Sequence, residues 1–208
     1  ARWSRGEIGS LSALELVGNR LWLGGAKGLL AAPADLGAPP KRVLRQAIVA
    51  LERTGDLFLV ADEDMLLLST PALLAKGRIL GQLRVGRDFK THRIRAFGGT
   101  AFVMGEGGVL VLDVSDPRAP RMVARLLRSR VGLVEDVARV GSRVFVAGDR
   151  GVQVLGPGLD RVVDTVATAP VRRLATLGRH VVGVGGRHIQ VVDGLPFTLA
   201  SSVARAAD

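Results

Sequence analysis

Cysteine and tyrosine are absent from the 208 residues, and aromatic residues make up only 4%. Without cysteine there is no disulfide framework, no thiolate metal site and no cysteine nucleophile, although the compartment stays open. So few aromatics leave little for base-stacking platforms or sugar-binding shelves. Long apolar runs are lacking as well: Arg, Asp, Gly or Pro interrupts each one, well short of the ~18 to 20 residues a membrane-spanning helix needs. Histidine occurs three times, at His92, His180 and His188. These are too few and too dispersed for a metal site, although His180 and His188 could approach across one hairpin. No Gly-x-Ser-x-Gly elbow occurs, and no carboxylate pair is marked by spacing as acid and base. The chain opens at Ala1 without an initiator methionine or a hydrophobic signal core, as expected of a product trimmed from something longer.

What is present is apolar and basic. Hydrophobic residues make up 48%, ample for a buried core, and the net charge is +10. Most of the cations are arginines, which suits an anionic partner such as nucleic acid, acidic polysaccharide or lipid headgroups. Yet they recur singly, as at Arg84, Arg87, Arg95, Arg121, Arg125, Arg128 and Arg130. Such scatter also describes an ordinary solvated face.

The clearest local pattern runs from Thr100 to Pro120. Ala101 to Met104 is a short β-prone run, Gly105-Glu-Gly-Gly108 supplies positions that tolerate positive φ, and Val109 to Val114 is a second run rich in β-branched residues. Asp113 and Asp116 can bond backbone amides just ahead of them, while Pro117 and Pro120 remove donors and end the ladder. The unit is strand, turn, strand, stop.

Four more copies are visible. The apolar residue inside the first of these strands aligns as Trp22, Phe58, Phe102, Phe145 and Val182, and the residue opening the second as Leu29, Met65, Val109, Val152 and Ile189. Successive copies lie 36, 44, 43 and 37 residues apart in both columns, so length variation falls outside the hairpin. A preceding strand recurs at Leu14 to Gly18, Val49 to Gly55, Ile94 to Gly99, Val137 to Gly141 and Leu174 to Gly178. Outer strands follow at Arg42 to Arg45, Ile79 to Leu83, Arg121 to Leu127, Val162 to Val166 and Phe197 to Val203.

Four short antiparallel strands per repeat of ~40 residues predict an all-β fold, a β-propeller of about five blades. The blades fall near 10–46, 47–86, 87–130, 131–169 and 170–208. A competing pattern places helices at Val43 to Leu51 and Ala72 to Lys76. Strands are preferred, because equivalent segments such as Val162-Val-Asp-Thr-Val166 are β-branched. Residues 1–9 sit where an extra strand would either close the ring or remain from an upstream blade. A closed five-bladed ring and a piece of a larger propeller are both compatible with the repeat. The ring is favoured because an open array leaves two sheet faces unburied.

Gly108-Val-Leu-Val-Leu-Asp-Val-Ser-Asp-Pro-Arg-Ala-Pro120 resembles the LVIVD-repeat family of β-propellers. His188-Ile-Gln-Val-Val-Asp193 and Gly151-Val-Gln-Val-Leu155 keep parts of the pattern, and Asp64 to Leu68 and Gly28 to Ala31 keep less. The resemblance implies a propeller of exported or surface-displayed bacterial and archaeal proteins, without a common catalytic activity. It makes the aspartate and prolines turn residues.

In a propeller the turns joining strands two and three share a face with the loops between blades. That face would carry Lys27, Asp62, Glu63, Asp64, Glu106, Asp149, Arg150, Arg187 and His188, with Lys90 and His92 from a long interblade loop. Its mixed charge suits a protein partner. Asp62-Glu63-Asp64 could hold a cation but lacks the alternation of a calcium loop. Gly105-Glu-Gly-Gly108 and Gly183-Val-Gly-Gly186 precede no helix, which makes them hairpin glycines rather than phosphate loops.

The expectation is a noncatalytic, exported scaffold that docks on another protein, with no catalytic residue, metal or cofactor assigned. Binding of an anionic polymer through the arginines is the second reading. The third is an enzyme whose site needs a second chain.

Overall fold

The computed structural model describes residues 5–167, 169–186, 188–193 and 199–204. They form twenty strands in five four-stranded antiparallel sheets, each wound up and down in chain order. The first sheet contains β1 (Leu11–Val17), β2 (Arg20–Gly25), β3 (Gly28–Pro33) and β4 (Lys41–Leu44). The second contains β5 (Ala50–Thr54), β6 (Leu57–Ala61), β7 (Met65–Ser69) and β8 (Gly81–Arg84). The third contains β9 (Thr91–Phe97), β10 (Thr100–Gly105), β11 (Gly108–Asp113) and β12 (Arg121–Leu127). The fourth contains β13 (Val134–Val140), β14 (Arg143–Gly148), β15 (Gly151–Leu155) and β16 (Val162–Ala167). The fifth contains β17 (Arg173–Leu177), β18 (His180–Gly185), β19 (His188–Asp193) and β20 (Leu199–Ala204). The all-β class, the five repeats and the four strands per repeat agree with the sequence.

Three details differ. Arg5–Ile8 is a helical turn rather than part of a strand, and β20 holds the outer place in the fifth sheet. Pro71–Leu74 forms one helical turn, so the helix formers there act locally. Thr70 Oγ1 accepts from Leu73 N at 3.3 Å and Pro71 sits where no amide partner is needed. Val43 to Leu51 is not helical.

The third difference is one of register. Gly18, Gly55, Gly98, Gly141 and Gly178 each turn the innermost strand into the next with φ of 57–62°, a conformation that costs glycine least. The fourth residue after each is Trp22, Leu59, Phe102, Phe145 and Val182. Pairing agrees: Glu15 faces Trp22, Glu52 faces Leu59, Ala138 faces Phe145 and Ala175 faces Val182. In the second repeat the structural positions therefore belong to Leu59 and Leu66, one residue beyond Phe58 and Met65. Because side chains alternate along a strand, a slip of one reverses the face. Phe58 points the other way, and its ring centroid lies 5.3 Å from that of Trp22 with the planes at 51°.

The chain divides into two compact units, 1–101 with 112–121, and 102–111 with 122–208. Within the first, Trp22, Leu29 and Ala31 pack on Ile48, Leu51, Phe58, Val60, Leu67 and Leu74 of the next repeat. Within the second, Phe145, Ala147, Val152 and Val154 pack on Val171, Leu174, Val181 and Val192. Both times the incoming repeat presents aliphatics three residues apart, Ile48 with Leu51 and Val171 with Leu174. Val134 and Val137 have the same spacing in β13, where a register shift between Val134 and Asp136 marks a bulge.

Polar ties accompany this packing. In the first unit, Ser12 Oγ donates to Ile48 O, and Glu52 Oε1 accepts from Ala96 N at 3.2 Å. In the second, buried Asp136 accepts from Leu174 N through Oδ2 at 3.0 Å and from Val137 N through Oδ1 at 3.0 Å.

Candidate functional site

The turns joining the second and third strands are bound to the segments leading into the innermost strands. In the first unit, Ala26 N donates to Ser10 O at 3.0 Å and Val85 N to Asp64 O at 2.7 Å. In the second, Arg128 N donates to Gly107 O and Asp149 N to Leu133 O, both at 3.1 Å. The expected combination of hairpin turns and interblade loops on one edge is therefore present within each unit. Gly148, which ends β14, marks how close the approach is: a Cβ there would lie 1.9 Å from Leu133 O.

The first unit places Lys27, Asp62, Glu63, Asp64, Lys90 and His92 on this edge. Lys27 Nζ donates to Gly6 O. Asp62 Oδ1 accepts from Asp64 N at 3.0 Å and Met65 N at 2.7 Å, so it builds its own turn. Asp64 Oδ2 lies 3.5 Å from Arg84 and 3.6 Å from Arg87. Asp62 thus shapes the turn, and Asp64 lies beside two exposed arginines. Glu63, Lys90 and His92 are exposed, and Lys90 adopts φ of 47°.

The second unit places Glu106, Asp149 and Arg150 on its own corresponding edge, all exposed. Asp149 Oδ1 accepts from Leu133 N at 2.9 Å. Arg150 donates to Arg130 O at 2.8 Å and Ser129 O at 3.1 Å. His188 opens β19, and Arg187 lies outside the described residues. His180 and His188 do not approach. His180 pairs with Asp193 and His188 with Gly185, five residues apart along the hairpin, or about 16 Å at strand spacing. Gly183 is not a turn residue but lies within β18, where a Cβ would come 3.0 Å from Val171 Cγ1. Among the described residues, no three His, Asp or Glu side chains form a metal-holding group.

The sequence reading missed a second feature. A cavity of about 220 Å³ opens between the innermost strands of the first unit, lined by Ser12 to Glu15, Val49 to Glu52 and His92 to Arg95. Burial raises the Glu52 pKa, opposed by Arg95, the Ala96 amide and Arg93, and reinforced by Glu15. Burial likewise raises that of Glu15, opposed by Arg53 and Arg95. Arg95 Nη1 lies 3.9 Å from Glu52 Oε2. Glu15, Glu52 and Arg95 all stand three residues before a turn glycine, where the last two repeats have Ala138 and Ala175. That shared offset was the available signal. A larger hollow of about 440 Å³ at the opposite edge is lined by Arg20 and Lys41 but by no acidic or histidine side chain.

Several arginines are committed to the scaffold. Arg53 Nε and Arg139 Nε each donate to the turn carbonyl two residues on, Gly55 O and Gly141 O, at 2.9 Å. Arg121 holds Asp113 Oδ2 through Nε at 3.1 Å and Nη2 at 2.8 Å. Asp113 Oδ1 meanwhile accepts from Ser115 N at 3.1 Å and Ser115 Oγ at 2.6 Å. The Ser115 hydroxyl first and Arg121 second draw the Asp113 pKa down from 3.8 to about 2.

No helix among the described residues is long and apolar enough to cross a membrane. No protein-family model and no curated protein matches the sequence. Solved structures do. The β-propeller domain of Cps50 (Swd1) from Myceliophteria thermophila superposes with a TM-score of 0.64 at 13% identity, over 89% of this chain and 66% of that one. The Pan2 WD40 domain of Neurospora crassa gives 0.66 at 15% identity, over 95% and 65%. YCF48 bound to D1 peptide gives 0.63 at 11% identity, over 95% and 70%. The chain thus spans about two thirds of the length of these propellers, and at such identities the likeness establishes one thing: the fold is a β-propeller.

Proposed function

We propose that this chain is a noncatalytic protein-interaction scaffold of the LVIVD-repeat type, exported or displayed at a surface, which docks a partner protein on the edge formed by its hairpin turns. The carrying observation is that these turns are tied by backbone hydrogen bonds to the adjoining loops, while Glu63, Lys90, His92 and Glu106 remain exposed upon them. Within each unit, charged residues carried on turns held by backbone hydrogen bonds give specificity at low ordering cost. The name of one similar structure records a bound peptide, which fits a docking role. Arg121 is paired with Asp113, and Arg53, Arg139 and Arg150 are held against backbone carbonyls, so these four guanidinium groups already serve the scaffold.

The four lysines provide the test. Lys27 and Lys90 lie on the turn edge, whereas Lys41 and Lys76 belong to the opposite edge of their sheets. Amine cross-linking of the native complex should join the partner to Lys27 and Lys90 and spare Lys41 and Lys76. Cross-links from Lys41 and Lys76 alone, or turnover of a substrate abolished by one substitution on the turn edge, would overturn the proposal.

A further inference from the structure

The first sheet turns one set of side chains toward the second repeat. Trp22 pairs with Ala31 and Ala31 with Lys41, while Arg20 pairs with Pro33. Residues directly opposite one another, and those two apart on one strand, share a face. Arg20, Trp22 and Lys41 therefore stand on the face whose Trp22 and Ala31 pack against Ile48, Phe58 and Leu74. Two hollows remain beside that packing. One, of about 440 Å³, is lined by Ala31, Pro33, Pro39 and Val43, by Ala75 of the second repeat, and by Arg20 and Lys41. The other, of about 250 Å³, lies between Val17, Arg20 and Trp22 and the helical turn at Pro71 and Ala72. Arg20 lines both, so the hollows adjoin at its side chain.

Three donors here have no acceptor. Arg20 and Lys41 are exposed, and neither has a partner among the described residues. Trp22 is 0% exposed and its Nε1 has no hydrogen-bond partner, in a setting where a buried donor ordinarily has one. No acidic or histidine side chain lines either hollow. Glu15, which pairs with Trp22, lines the cavity on the innermost strands instead. The repeat as such does not demand this arrangement. In the fourth sheet the equivalent row is Phe145, Val154 and Asp164, with a carboxylate where the first sheet has Lys41.

We propose that the two hollows form one binding site for a small organic oxyanion, a carboxylate or phosphate ester carried on an apolar body. Arg20 offers a planar fork to the oxyanion, Lys41 a second positive charge and Trp22 an indole N–H. The alanine, valine and proline side chains take the apolar body. A hollow of this size, mainly apolar with a few polar groups, has the usual form of a small-molecule site. The ligand is an anion because every charged side chain lining the hollows is a cation. The site lies away from the hairpin-turn edge and does not rest on the docking proposal.

The test is a titration followed by proton–nitrogen NMR of the Trp22 indole, in a chain carrying Trp3→Phe so that Trp22 is the sole tryptophan. The probes are phenylacetate, phenyl phosphate, acetate and benzylammonium. Phenylacetate, phenyl phosphate or both should move the resonance saturably at millimolar concentration or below, and the tighter of the two names the headgroup. Acetate, which lacks the apolar body, should bind about tenfold more weakly or less, and benzylammonium should have no effect. Arg20→Gln should weaken binding about tenfold and Lys41→Gln by less. Lys76→Gln removes the same charge from the same edge without lining either hollow, and should leave binding unchanged. Failure of both aromatic oxyanions to saturate, equal binding of benzylammonium, or wild-type binding by Arg20→Gln overturns the proposal. The first two results need no altered cation, so they decide the matter whatever the variants do. None of these outcomes bears on cross-linking at Lys27 and Lys90, so the two proposals fail separately.

Discussion

The junction between the first and second repeats and that between the fourth and fifth solve one packing problem with different side chains. Trp22 meets Phe58 across the first, and the space comes from Gly24, where a Cβ would lie 2.7 Å from Ile48 Cγ2. Phe145 fills the second with smaller neighbours, and the space comes from Gly183 on the incoming sheet, beside Val171. The glycine is on the receiving sheet in one junction and on the arriving sheet in the other. The polar tie differs too: a serine hydroxyl on Ile48 O in the first, a buried carboxylate on Leu174 N in the second. Interiors pack to near-crystalline density, so such faces fit their own neighbours better than each other's. A common backbone device thus allows each junction to be specific.

The largest effect should come from emptying either junction. Trp22→Ala and Phe145→Ala each remove a fully buried ring, at a cost of about 3–5 kcal/mol. Hydrogen exchange should locate the damage. Trp22→Ala speeds exchange in β2, β3, β5 and β6 and spares β14, β15, β17 and β18, and Phe145→Ala does the reverse. Equal acceleration in both sets would break the comparison by showing one cooperative core.

Overfilling should come next. Gly24→Ala and Gly183→Ala each press a methyl group onto a neighbour, costing about 1–3 kcal/mol. Shrinking that neighbour sharpens the comparison: Ile48→Ala should relieve only Gly24→Ala, and Val171→Ala only Gly183→Ala. Urea unfolding of the four singles and the four doubles, two matched and two crossed, reads this out as double-mutant cycles. Cross-relief, in which Val171→Ala rescues Gly24→Ala, would contradict it.

The polar ties rank third. Asp136→Ala leaves the Leu174 amide in a buried place without its acceptor, worth about 1–3 kcal/mol. Asp136→Asn keeps one side-chain oxygen and should recover part of the loss. Retention of full stability by Asp136→Ala in urea unfolding would show that the tie is dispensable.

The sequence made the hairpins readable because strand periodicity, β-branched residues and turn glycines all point the same way. It misled in the second repeat because Phe58 looks like the partner of Phe102 and Phe145, and aromatic identity outweighed counting. Four residues on from Gly55 is Leu59, the correct position, so the better guide was backbone geometry. The helical turn at Pro71 was signalled by Thr70-Pro71, a cap followed by a first-turn proline. The ties of Glu52 and Asp136 could not be read, since each joins strands some forty residues apart. Nor could the exposure of Val184 and Ile189 in the fifth sheet, since both read as buried strand residues.

The smallest expected effect concerns pH, and it contrasts Glu52 with Asp113. Burial raises the Glu52 pKa above 4.5, so the folded chain holds this proton more tightly than the unfolded one. Its contribution favours folding below pH 4.5 and is lost as pH rises through the folded pKa. Asp113 is the opposite case, drawn from 3.8 to about 2. Its contribution is present above pH 3.8 and is lost as pH falls toward 2. Glu52→Gln should therefore lose ground to the wild type in acid and gain on it as pH rises toward neutrality, in melting temperatures taken from pH 4 to 7. Asp113→Asn should change nothing in that comparison between pH 5 and 7, and should approach the wild type only below pH 3.8. A Glu52→Gln difference that stays flat across the range would mean that the Glu52 carboxyl, despite its burial, is held as readily ionised in the folded chain as in the unfolded one. The arginines at the cavity, rather than desolvation, would then govern its charge.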